Sequence, residues 1–507
     1  MRDALILLDR IITDRVADFW TWRLAGEALL KAGEFAQALD AFEHAEAEKV
    51  IVGSPLIDDT DLQGIYFQRA QCMYSLGQTT EAVELFRELA DSCLIPEALC
   101  NLATIVPGCP NSTNQDVLKI RQRFAASLAA GVSSQRQVVE RPSCQSPLRI
   151  GYISSFFHCE NYMKPIRSML NAHDRVEFEI ELFADDKKSE PCDWLLASPK
   201  DQVFYTSQLS NCELVDLIIQ RELDILVDLN GYSVPERLPV YAQRLAKVGL
   251  SWFNMYATSG LPAFDWIVGD EYVVKTDESE FYTEKVALLP ISYLSFDVTY
   301  TAPPVVKPPC IGGQPFTFGS LVSQYKLTPH VFDAWCEILR RSPMARLLLS
   351  NKALGSGCNR EYVQREFQSR GIESERLEFL SPGHHTMFLG HYGLFDIALD
   401  AFPYNGGTTT TEAIWQGVPV ITFVGDRWAS RTSSSLLNSA GLEEFVAPDL
   451  SGYVELAISW ANSPDSPKRL AELRSVMREK LLSSDVCDSR RLARSMENIF
   501  REVMATS

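Results

Sequence analysis

The sequence has no apolar stretch of the roughly 20 residues that a membrane-spanning helix needs, so no such helix is expected. Its 12 cysteines include no CxxC pair and no Cys/His spacing of the zinc type, which sets aside a disulfide framework and a zinc ribbon. Mostly buried free thiols in a reduced compartment are expected instead. Histidine is scarce, and the one tight group, His384-His385 with His391, has no further converging ligand in the sequence. Those histidines are expected to be exposed or to touch a nucleotide, with no metal. Positive charge is also short: 47 lysines and arginines stand against 66 aspartates and glutamates, a net charge of −19. Nucleic acid and anionic membranes both reward clustered Lys and Arg, so neither is an expected partner. Acids interrupt the apolar periodicity of the first residues, MRDALILLDRIITD, where a signal peptide would carry none. A soluble, cytoplasmic protein is the expectation.

With 507 residues the chain exceeds one core, and several domains are expected. The most informative segment is Asp396 to Asp426, DIALDAFPYNGGTTTTEAIWQGVPVITFVGD. The apolar run Ile397 to Leu399 predicts a strand. Asn405-Gly406-Gly407 predicts a loop, and Thr408 to Trp415 a helix closed by Gly417 before a second buried strand. Glycines let a backbone approach an anion closely, and the first amides of a helix have no internal partners. With the dipole and the threonine hydroxyls, that helix start is a candidate phosphate site.

The segment resembles the nucleotide-sugar lobe of the O-linked N-acetylglucosamine transferase family, glycosyltransferase family 41, and the likeness continues through Ala429-Ser430-Arg431. It runs from about Leu148 to the C-terminus. What it implies is a GT-B fold, α/β, with two Rossmann-like lobes facing across a cleft and an all-α tetratricopeptide-repeat region in front. The sequence has units to match. Trp22, Gly26, Leu29, Gly33, Ala38, Phe42 and Ala45 fit one repeat, and Tyr66, Ala70, Met73, Gly77, Ala82 and Phe86 a second. The expected domains are repeats over 1–108, a helix and linker over 109–147, a first catalytic lobe over 148–310 and a nucleotide-sugar-binding lobe over 311–507. The short array reads as a module that recruits the acceptor protein or pairs two copies into a homodimer. A chain without residues up to about Pro110 would on that reading keep its donor chemistry.

The resemblance implies donor contacts residue by residue. Lys326, in Ser323-Gln324-Tyr325-Lys326, falls on a lysine that contacts the donor diphosphate, where an ammonium stabilises the charge of a leaving phosphate. Gly406, Gly407, Thr408 and Thr409 fall on the phosphate loop, and Glu412 replaces an aspartate that contacts the ribose. Ser323 and Arg431 complete the donor set, Arg431 with a buried structural ion pair as its alternative.

Departures from the family gather on the sugar side. Gly407 stands where animal members carry histidine, and Phe388 where a histidine approaches the nucleobase. Glu160 stands where a histidine lies near sugar and acceptor, with His158 two residues earlier. The element Asn254-Met255-Tyr256-Ala257-Thr258-Ser259-Gly260 also differs from its family form. Candidates for the acceptor base are Glu160, His158 and, more weakly, Asp228, whose place at a strand end also suits a turn-organising role.

The implied function is inverting, metal-independent transfer of N-acetylglucosamine to Ser or Thr of a protein. The donor, UDP-GlcNAc first, acts as substrate and no separate cofactor is expected. Alternatives are a flagellin glycosyltransferase using a CMP-nonulosonic acid, and an inactive transferase-like scaffold that binds partners through its repeats.

Overall fold

The computed structural model describes residues 18–52, 58–92, 95–131, 147–186, 198–298, 301–381 and 383–506. The start of the chain, the Gly53-Pro55 connection and nearly all of the 133–147 linker lie outside the described residues.

Helices come first: α1 (Phe19–Ala32), α2 (Phe35–Val52), α3 (Asp59–Ser75), α4 (Thr79–Ser92), α5 (Pro96–Ile105) and α6 (Asn114–Ala130). Local chemistry marks their starts. Asp18, Asp58 and Thr113 accept the amides of Thr21, Asp61 and Asp116, and Pro96 opens α5. The repeat positions pack as expected, with Ala38, Phe42, Ala45, Ala70, Ala82 and Phe86 all buried.

The first lobe is a parallel sheet of β1 (Leu148–Ser154), β2 (Phe178–Ala184), β3 (Gln202–Tyr205), β4 (Ile225–Asp228), β5 (Val248–Ser251), β6 (Trp266–Asp270) and β7 (Lys285–Leu289), in the order β3-β2-β1-β4-β5-β6-β7. The second has β8 (Thr317–Ser320), β9 (Arg346–Ser350), β10 (Leu377–Leu380), β11 (Ile397–Leu399), β12 (Val420–Phe423) and β13 (Val446–Ala447), in the order β10-β9-β8-β11-β12-β13. These are the two Rossmann-like lobes of a GT-B fold. In each, the order reverses between the first strand and the fourth, and ligands of such sheets sit beyond the carboxyl ends of strands at that reversal. The loops there follow β1 and β4 in one lobe and β8 and β11 in the other, so His158, Glu160, Asp228, Ser323, Lys326 and the Gly406–Thr409 loop lie at switch points, whereas Phe388 follows β10, Arg431 follows β12 and the Asn254–Gly260 element follows β5.

One domain assignment differs from the sequence reading. The last helix, Ser489–Ala505, was expected in the second lobe but packs on the first. Glu497 there accepts the Asp174 amide at 2.8 Å and lies 3.1 Å from His173 Nδ1. Nor are the helices a detachable module. Tyr74 stacks on Tyr325 with ring centroids 5.1 Å apart, and Asn359 Nδ2 donates to Gly33 O at 2.8 Å. Arg427 Nη1 donates to Cys109 O at 3.0 Å. At Gly77, φ is +90° and an added Cβ would stand 2.1 Å from Leu327 O, so only glycine lets the second repeat close on the turn that carries Lys326.

Candidate active site

The Gly-Thr loop is built from within. Asp400, buried just after β11, accepts the Gly406 amide at 2.9 Å, the Ala401 amide at 3.0 Å and the Thr422 hydroxyl at 2.8 Å. Burial raises its pKa, and those donors work against the rise. Ser433 Oγ donates to Gly406 O at 2.9 Å. A Cβ at Gly406 would come within 2.6 Å of the hydroxyl oxygens of Thr409 and Thr410, so glycine is required for the loop to lie against its helix. Helix Thr408–Trp415 makes its first internal bond at Thr410, whose amide reaches Gly407 O at 3.0 Å. The amides of Gly407, Thr408 and Thr409 precede that bond and form the positive end of the helix.

Lys326 meets this loop from the other central strand. It ends the turn Gln324–Lys326 after β8, and its Nζ donates to Asn405 O at 2.6 Å while standing 4.1 Å from the Tyr404 ring centroid. Burial pulls its pKa down from 10.5 to about 8, with Asp400 opposing the fall. Ser323 precedes the turn and is exposed. Lys326 also lines a cavity of about 330 Å³ where helices and both lobes meet, with Tyr74, Tyr232, Tyr256, Tyr325 and Tyr404 around it. Sequence reasoning did not find this tyrosine lining, because its members come from separate segments.

Glu412, one turn inside helix Thr408–Trp415, is 2% exposed, and its Oε1 lies 2.6 Å from Lys164 Nζ of the first lobe. His385 Nε2 is 3.4 Å from the same oxygen. Burial, then the Lys164 ammonium, hold the His385 pKa down at about 4, so this imidazole is neutral. Nothing in the sequence around Lys164 signals this role. Phe388 is half-buried and parallel to His385, with centroids 6.3 Å apart, and edge-on to Tyr392, whose hydroxyl donates to Thr409 O. An aromatic surface therefore lies next to helix Thr408–Trp415.

The histidine group disperses: His384 caps helix His385–Gly390, and His391 is buried against Ser350 Oγ at 3.0 Å. Among the described residues no set of three or more His, Cys, Asp or Glu could hold a metal.

Arg431, expected in the donor set, is held in an ion pair. Its guanidinium grips Glu278 of the first lobe with both Nη atoms, at 2.7 and 2.8 Å, and its Nε donates to Gly425 O at 2.8 Å. It is a strut between the lobes, the alternative named for it above. Ser430 is likewise structural, since its hydroxyl donates to Arg427 O at 2.8 Å. Asp228 organises its own turn. It accepts the amides of Asn230 and Gly231 and the Tyr241 hydroxyl, and burial raises its pKa to about 6.

In the loop after β1, the imidazole of His158 pairs with Asp186, which also accepts the His158 amide at 3.0 Å. Glu160 opens helix Glu160–Met163, and its side chain lies outside the described residues. That helix borders the cavity, because the Tyr162 hydroxyl donates to Ser233, a cavity-lining residue, at 3.0 Å.

Known proteins share this arrangement. A family model described as Glycosyl transferase family 41 matches residues 134–306 and 314–496. A probable UDP-N-acetylglucosamine–peptide N-acetylglucosaminyltransferase SPINDLY of Hordeum vulgare is 31% identical over 365 residues, 70% of this chain and 38% of that protein. The corresponding SEC protein of Arabidopsis thaliana is 28% identical over 375 residues, 71% of this chain and 38% of its own length. The chain thus matches well under half the length of these plant relatives. The solved structure of a mutant O-GlcNAc transferase of Thermobaculum terrenum superposes with a TM-score of 0.83 at 26% identity, covering 99% of this chain and 93% of that one. With both lobes matched, and with the glycine-threonine helix and Lys326 at their switch points, the chain belongs to glycosyl transferase family 41.

Proposed function

We propose that the chain is a protein O-glycosyltransferase that moves a sugar from a nucleotide sugar to a Ser or Thr hydroxyl, with N-acetylglucosamine on UDP as the donor. The observation that carries this reading is the meeting of Lys326 with the phosphate helix, an ammonium bonded to Asn405 O one residue before Gly406. Family membership and the activities named for the relatives agree with it. In this reading the acceptor oxygen attacks the anomeric carbon as the bond to the diphosphate breaks on the opposite face, inverting that centre. The acceptor proton passes to a base in the loop after β1. Of the two candidates there, His158 has a carboxylate that orients its ring, and Glu160 has the aligned position. The negative charge left on the nucleoside diphosphate is met by Lys326 and by the amides and hydroxyls of Thr408 and Thr409.

A thermal-shift panel of UDP, GDP and CMP with their sugar conjugates tests the donor, since a ligand that binds only the native state raises apparent stability. Mass analysis of acceptor peptides incubated with the responding donor tests transfer. A response confined to CMP compounds would replace the donor by a nonulosonic-acid conjugate. No response to any nucleotide would favour the scaffold.

A further inference from the structure

A buried ion pair crosses the cleft beside the phosphate loop. Lys164 directly follows helix Glu160–Met163 of the first lobe, and Glu412 lies in helix Thr408–Trp415 of the second. Both side chains are 3% exposed. His385 Nε2 is 3.2 Å from Lys164 Nζ, and Asn161 Nδ2 is 3.1 Å from His385 Nδ1, so the pair sits in a polar cluster drawn from both lobes.

Glu412 follows Thr408 by four residues, about 6 Å along a helix axis. A diphosphate held at the helix start would place its ribose within reach of that carboxylate. A carboxylate can accept both hydroxyls of a cis diol at once. At 2% exposure, however, Glu412 is enclosed, and Lys164 and His385 both approach its Oε1, so a diol reaches the carboxylate only by displacing what packs against it, the ammonium first. A desolvated carboxylate left alone is costly, so whichever of ammonium and diol is absent must be replaced by the other.

We propose that Lys164 sets donor affinity by competing with the donor's ribose diol for Glu412. It bridges the two lobes through Glu412 and gives up the carboxylate when the nucleotide enters. This rests on the nucleotide-sugar reading above and adds to it a residue of the first lobe that acts against binding.

Isothermal titration of the full chain with UDP, 2′,3′-dideoxy-UDP and pyrophosphate tests the proposal. Lys164→Met removes the competitor, and UDP is expected to bind at least about fivefold more tightly, roughly 1 kcal/mol. Dideoxy-UDP and pyrophosphate, which have no diol to offer, should bind as they do to the parent chain. Unchanged or weaker UDP binding by Lys164→Met, or an equal gain for dideoxy-UDP, overturns the proposal. Should the unpaired Glu412 prevent folding, Lys164→Met with Glu412→Leu removes both charges. That double variant must then bind UDP and dideoxy-UDP alike, and retained preference for UDP overturns the proposal. A parent chain that binds none of the three overturns the nucleotide-sugar reading and this inference with it, whereas a parent chain that binds UDP normally leaves only the inference at stake.

Discussion

Lys326→Met should make the protein more stable and inactive. The ammonium of Lys326 is held where its pKa falls from 10.5 to about 8, a drop of about 2.5. At about 1.4 kcal/mol for each pKa unit, keeping the charged form in the fold at neutral pH costs on the order of 3 kcal/mol. Methionine occupies a similar volume without the charge. The penalty is present in full below pH 8, where the folded lysine keeps its proton. Between about 8 and 10.5 the unfolded chain binds more protons than the folded one, so the parent's stability rises with pH and its deficit relative to the variant closes. Thermal unfolding of both proteins from pH 6.5 to 10.5 checks this. The variant is expected to melt about 6–12 °C higher at pH 7, given roughly 2–4 °C per kcal/mol for a domain of this lobe's size, and the gap should shrink as pH rises. A variant that melts lower at pH 7, or a gap that ignores pH, would refute the reasoning and show that the contacts to Asn405 O and Tyr404 outweigh desolvation. Transfer should be lost at every pH, because nothing else in the turn carries a positive charge to the leaving phosphate.

Thr408→Val and Thr409→Val should each weaken nucleotide binding about three- to tenfold, the value of one hydroxyl hydrogen bond, and unchanged titrations for both would confine these residues to shaping the helix start. Arg431→Met should destabilise the protein by about 3–5 kcal/mol by stranding Glu278, while nucleotide affinity measured below the melting transition stays the same. A selective loss of affinity would return Arg431 to the donor site. Glu160→Gln should lower turnover at least about tenfold with nucleotide binding retained, measured beside His158→Ala. A fully active Glu160→Gln beside a dead His158→Ala would move the base to the histidine.

What could be read from the sequence was what is local in it. The glycine-threonine loop, its helix and the flanking strands occupy one segment, and the Asp400 carboxylate that shapes the loop lies six residues from the amide it holds. The seven-residue strands β1 and β2 were legible for the same reason, and the three-residue β11 because it borders that loop. The runs of β5, β6 and β7 are four or five residues long and lack clear turn signals, so they were not separated from loops. Arg431 shows the limit from the other side. A motif placed it at the cleft, but its chemistry is set by Glu278, 153 residues away. Lys164 and Glu412 are 248 residues apart, and no pattern in either segment announces the other.

The same argument applies to the helices, whose part in the site is larger than the repeat pattern suggested. Asn254 and Tyr256 adopt φ of +62° and +57°, a backbone region that costs side-chain-bearing residues on the order of 1–3 kcal/mol each. Both line the cavity next to Lys326. Something must hold that segment, and Arg121 of α6 does. It is fully buried, donates to Met255 O at 3.1 Å and Thr258 O at 2.7 Å, and lies 3.9 Å from the Tyr232 ring centroid. Its charge is met by carbonyl dipoles and an aromatic face, and burial lowers its pKa. The residue that fixes the strained cavity wall therefore belongs to the helical region and not to either lobe. The repeats and the helix after them shape the site, and a change in α6 far from helix Thr408–Trp415 would be felt at the cavity beside Lys326.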